Sequence, residues 1–140
     1  LATISEDLFV VITMPNADTQ GSIYREAILE MKKENENRFL LIENFGKTNY
    51  FSAMHYCKLL IGNTSSGILE AASFGKYVVN VKEKKKGRAQ SNNIINCSFV
   101  ALDIIEATEK AKKLDKYVGA NVYFKEAVAD NVIKIVKESL

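Results

Sequence analysis

The chain has 140 residues, 47% of them hydrophobic and 26% charged, which is one ordinary domain with enough apolar content for a real core. A net charge of +2 and a pI of about 8.5 are too mild to argue for nucleic acid, and the apolar runs are strand-sized, too short to span a bilayer. Two cysteines, Cys57 and Cys97, make no disulfide framework and suit a reducing compartment, with both thiols expected in the core as small hydrophobes.

The opening Leu1 to Asp7 lacks the basic stretch of a signal peptide. The chain starts with Leu rather than Met and enters a strand-like run within ten residues, as a domain taken from a longer protein would. That run, Leu8 to Met14, is apolar and β-branched, and "PNADTQGS" ends it with turn residues. From about Gln20 to Glu36, Ile23, Ala27, Ile28 and Met31 recur at helical spacing. "RFLLIENF" reads as a strand, "NYFSAMHYCK" as a short helix and "LLIGN" as the next strand. "SSGILEAASFG" follows as a helix closed by Gly75, and "YVVNV" as a further strand. The basic loop "KEKKKGRAQSN" leads into "NIINC", and helices over roughly Ile104 to Leu114 and Phe124 to Glu138 close the chain.

Alternating strands and helices, short connections and near-continuous apolar strands predict an α/β fold with a doubly wound parallel sheet. In such a sheet the loops at the carboxyl ends of the strands share one edge, and ligands collect there. "MPNADTQGS", "ENFGKTNY", "GNTSSG" and the basic loop should all lie on that edge.

"GNTSSGILE", Gly62 to Glu70, is the most informative of them. It is neither a P-loop nor a GxGxxG fingerprint. One reading is an ordinary helix start capped by Asn63 or Thr64. The other is an anion cradle, in which free backbone N–H groups and the hydroxyls of Thr64, Ser65 and Ser66 hold a phosphate. Glu70 is either a solvated helix residue or an acceptor for ribose hydroxyls beside that phosphate. Lys82, Lys84, Lys85, Lys86 and Arg88 form either a solvated basic loop or, for Lys84 and Arg88, anion contacts. His55 is the single histidine, with no nucleophile or carboxylate at suggestive spacing, and reads as structural or surface. One His and two distant Cys cannot build a zinc site.

Together these pieces resemble the carboxy-terminal domain of UDP-N-acetylglucosamine 2-epimerases, closest to the hydrolysing branch. The resemblance rests on Pro15-Asn16-Ala17-Asp18, on "GNTSSGILE", on Ser73-Phe74-Gly75 followed by Val79-Asn80, and on Lys84-Lys85-Lys86-Gly87-Arg88 in place of Arg-Gln-x-Gly-Arg. Order and spacing agree from about residue 8 to residue 96. The non-hydrolysing branch usually has an Asp-Ser-Gly-Gly turn and an Arg-Pro-Glu loop, both missing here. Thr64 stands for the usual Ser and keeps the hydroxyl; Lys84 stands for Arg and loses the bidentate fork.

The resemblance implies a glycosyltransferase-B-like architecture of two Rossmann-like domains. Residues 1–140 would be the carboxy-terminal UDP-binding one, partnered by an amino-terminal domain of the same enzyme. Thr64, Ser65, Ser66 and Gly67 would cradle the diphosphate and Glu70 would bind the ribose hydroxyls. Asn16 would face the sugar-diphosphate, Lys84 and Arg88 would line the anionic side, and uracil would lie near Phe45 to Tyr50. The implied reaction eliminates UDP to a glycal and then hydrates it, with no metal or cofactor. Its acid/base groups lie outside this sequence, so the domain alone should bind nucleotide weakly and turn nothing over. A cytoplasmic enzyme, possible as a homodimer, with no nucleic-acid or membrane partner is the expectation. Rival readings are an epimerase of a related UDP-diacetamido sugar, a non-catalytic UDP- or anion-binding module, and a basic nucleic-acid-binding domain.

Overall fold

The computed structural model describes residues 8–15, 21–34, 36–82 and 88–139. Among these residues are five strands, each but β4 followed by a helix: β1 Val10–Thr13, α1 Gly21–Glu34, β2 Phe39–Ile42, α2 Gly46–Tyr56, β3 Leu59–Gly62, α3 Ser65–Leu69, β4 Tyr77–Val81, β5 Ile94–Cys97, α4 Ala101–Lys112 and α5 Val128–Glu138. Every strand pairing is parallel, as expected of a Rossmann-like α/β fold. The pairing comes in two pieces, β1 with β2 and β3-β4-β5.

The three-stranded piece is built on side-chain alternation, which sends neighbouring residues of a strand to opposite faces. On one face Leu59, Ile61, Val79, Val81 and Ile95 pack with Ala107 and Ala111 of α4. On the other, Leu60, Val78 and Ile94 pack with Met54 of α2 and with Ala71 and Phe74. Helices therefore cover both faces, and β4 in the middle is buried from Val78 to Val81.

Two details differ from the sequence pattern. The helix after β3 is only five residues long and passes at Glu70 into a 3-10 turn, Ala71–Phe74, ended by left-handed Gly75 (φ 69°). Ser and Gly are weak helix formers, and the tighter turn lets Ala71 and Ala72 sink against the sheet. Both thiols are only half-buried. Burial nevertheless raises each above the ordinary thiol range, with Lys76 opposing the shift at Cys57 and Asp103 adding to it at Cys97.

α5 is amphipathic, yet Val128, Val132, Ile133, Ile135 and Val136 are all more than half exposed. Among the described residues no helix is long and apolar enough to cross a membrane, and no cluster of His, Cys, Asp and Glu could hold a metal ion.

Candidate functional site

The turn after β3 is a capped helix start in its local geometry. Thr64 has extended backbone, and its Oγ1 accepts the Gly67 N–H at 3.3 Å. Of the two cap candidates it is Thr64 that serves. Ser66 Oγ donates to the Glu70 carboxylate, which reaches back one turn to meet it. Glu70 thus orients one of the three hydroxyls of the turn. Gly67 is buried, and a Cβ there would stand 3.1 Å from Val78 Cγ1. Its missing side chain lets the turn lie directly on β4.

Thr64 and Gly67 line a cavity of about 440 Å³ together with Thr13 at the end of β1, Gly62 at the end of β3, and Phe45 and Tyr50. The two rings meet edge-on with centroids 6.3 Å apart. The structure therefore joins Thr64 and Gly67 of the turn to the aromatic segment expected beside uracil, whereas Ser65, Ser66 and Glu70 do not line this cavity. Asn16 and Lys84 lie outside the described residues. Arg88 is exposed and does not line this cavity. His55 is exposed too, edge-on to Tyr56 at 4.9 Å.

Three positioning features were not assigned from the sequence. Asn80 at the end of β4 is 2% exposed, and its Nδ2 donates to Asn96 Oδ1 at 2.7 Å. Asn96 Nδ2 donates in turn to Gln90 Oε1 at 2.8 Å, tying the segment after the basic loop to the carboxyl edge of the sheet. Asn121 Nδ2 donates to Leu69 O at 2.9 Å and to Ser73 Oγ at 2.7 Å, while Tyr123 Oη donates to Ala89 O at 2.7 Å. One short stretch before α5 thereby fastens both the end of α3 and the approach from Arg88. Arg25 on α1 forms a two-point ion pair with Glu43 and donates to Pro15 O at 3.4 Å, joining the ends of β1 and β2. Asn80 followed an apolar run, a detectable sign of a strand end; Asn121 and Arg25 carried no such sign.

The sequence model of the UDP-N-acetylglucosamine 2-epimerase family matches residues 1–137, nearly the whole chain. The chain belongs to that family. Among curated relatives, GDP/UDP-N,N'-diacetylbacillosamine 2-epimerase (hydrolyzing) of Campylobacter jejuni is 35% identical over 101 residues, covering 72% of this chain and 26% of the relative. UDP-N,N'-diacetylbacillosamine 2-epimerase (hydrolyzing) of Legionella pneumophila is 30% identical over 122 residues, 87% of this chain and 32% of the relative. UDP-N-acetylglucosamine 2-epimerase of Neisseria meningitidis is 27% identical over 109 residues, 77% of this chain and 28% of the relative. The chain thus spans about a quarter to a third of the length of these relatives.

Proposed function

We propose that residues 1–140 form the carboxy-terminal, UDP-binding domain of a hydrolysing UDP-sugar 2-epimerase. The observation that carries this is Thr64 and Gly67 of the hydroxyl-rich turn and an aromatic pair on one cavity reaching the carboxyl edge of a parallel sheet, in a chain that matches the epimerase family over residues 1–137. Backbone N–H groups and the hydroxyls of Thr64, Ser65 and Ser66 would receive the diphosphate. Glu70 would exchange its bond from Ser66 for one from a ribose hydroxyl, so that binding reorganises a contact already present. Phe45 and Tyr50 would flank the uracil. Asn16, Lys84 and Arg88 would complete the anionic side. This domain would hold the leaving group while an amino-terminal domain supplies acid/base groups for elimination of UDP and hydration of the glycal.

Two sugars compete for the other half of the ligand. UDP-GlcNAc is the family's namesake, whereas the relatives at 35% and 30% identity are named for a UDP-diacetamido sugar. The second reading therefore stands beside the first.

Calorimetric titration of the full-length protein tests the site. UDP should bind, and Ser65→Ala with Glu70→Ala should weaken it at least about tenfold, the loss of one or two charge-assisted or hydroxyl hydrogen bonds. Unchanged binding would remove these residues from the site. A product assay with both UDP-sugars then separates free 2-epimerised sugar plus UDP from an epimerised UDP-sugar, and shows which sugar is taken.

A further inference from the structure

The stretch between α4 and α5 is a strap, bonded to the segments on either side of β4. Tyr117 N–H donates to Gly75 O at 3.0 Å, Val122 N–H to Ser91 Oγ at 3.0 Å and Tyr123 Oη to Ala89 O at 2.7 Å. Ser91 is 4% exposed, so one of these anchors lies inside the domain. Asn121 stands between them on a support that is held at both ends.

Every polar atom of the Asn121 side chain is bonded. Its Nδ2 donates to Leu69 O and to Ser73 Oγ, and its Oδ1 accepts the Tyr123 N–H at 3.0 Å. Leu69 O needs an outside donor because the helix changes type beside it. In a continuous α-helix the Ser73 N–H would bond Leu69 O, but that N–H turns to Glu70 O at 2.9 Å. A carbonyl released at a helix end is costly unless another donor meets it. Asn121 Nδ2 is that donor. The opposite amide orientation would set Oδ1 against a carbonyl, acceptor on acceptor, so the partner fixes the orientation.

Glu70 occupies the junction itself. Its φ of −116° departs from the about −63° of an α-helix, and the turn that follows is 3-10. The angle φ sets the direction of Cβ relative to the helix before it, so the junction sets the direction in which the Glu70 side chain leaves the backbone. We infer that Asn121 is a positioning residue of the nucleotide site: by holding Leu69 O it fixes the junction, and through the junction the aim of the Glu70 carboxylate at the ribose hydroxyls. This rests on Glu70 as the ribose acceptor. A merely structural Asn121 would act on every nucleotide alike, whereas a positioning Asn121 acts only through Glu70.

Calorimetric titration of the full-length protein with UDP and with 2′,3′-dideoxy-UDP reads that difference as a ratio of affinities. The unaltered protein should prefer UDP. Asn121→Ala should weaken UDP about five- to tenfold and leave dideoxy-UDP within about twofold, because only the hydroxyls meet Glu70. In the Glu70→Ala background, Asn121→Ala should change UDP affinity less than about twofold. Where the alanine variant folds poorly, Asn121→Asp keeps the acceptor for the Tyr123 N–H, loses the Nδ2 donor and should lower the same ratio. An unchanged ratio in either folded variant would overturn the inference. So would losses that add in full in the Glu70→Ala background. Binding of UDP without preference over dideoxy-UDP would remove Glu70 from the ribose, and this role of Asn121 with it, while the UDP site stands. No binding of UDP at all would overturn the UDP reading as well.

Discussion

The two pieces of the sheet are made of similar residues and have reached very different degrees of burial. In β4 Val79 is fully buried, with α4 over one face of the sheet and α2 with the Ala71 to Phe74 turn over the other. In β1 and β2, Phe39 is buried while Phe9, Val11 and Leu40 stay 64%, 43% and 42% exposed, and Ile23 and Tyr24 of α1 project 69% and 61% into solvent. Propensity and hydropathy do not separate these halves; the supply of neighbours does. β4 has covered faces and two paired edges, whereas β1 is paired on one edge among the described residues.

The widest separation should come from paired valine deletions. Val79→Ala should cost about 2–3 kcal/mol by urea denaturation, through lost burial and the cavity left behind. Val11→Ala, at a residue 43% exposed, should stay within about 0.5 kcal/mol in the same assay. Equal costs would break the contrast. Next comes Gly67→Ala, which must push on Val78 from 3.1 Å and should cost about 1–2 kcal/mol. Circular dichroism melts would detect it, and UDP affinity of the full-length variant should fall as the turn lifts from β4.

Asn80→Ala should cost about 1 kcal/mol, because Asn96 keeps its contact with Gln90 when it loses Asn80. A loss near zero would mean that the amide row at the sheet edge adds no rigidity. The smallest effect lies with the thiols. Burial raises the pKa of folded Cys57, so the unfolded chain gives up that proton first. Stability should be level below the ordinary thiol range and fall as pH rises through the unfolded value towards the folded one. Urea denaturation across that pH range checks it, and a level profile would remove the burial of Cys57 as the cause.

Much of the closed half was legible in the residues. "LLIG" and "YVVNV" are strands because they are apolar and β-branched, and Gly75 stops the intervening helical stretch with a left-handed residue, as its position predicted. The α/β pattern, the parallel pairing and the capped turn all follow from such local regularities. What could not be read were contacts between distant segments. Asn121 meets Leu69 across 52 positions and Tyr123 meets Ala89 across 34, and neither residue differs in type from a loop residue that touches nothing. Glu70 was legible as a carboxylate near hydroxyls, and its contact with Ser66 has the i,i+4 spacing of helix neighbours.

By itself the sequence determined that this is a parallel α/β domain with a hydroxyl-rich turn after its third strand, because periodicity and turn chemistry are local properties of neighbouring residues. Only the tertiary structure decided that strand pairing among the described residues comes in two pieces, and that Thr64 and Gly67 of the turn share a cavity with Phe45 and Tyr50. Edge pairing is a relation between strands far apart in the chain. An apolar strand looks the same in sequence whether its neighbour is present or absent.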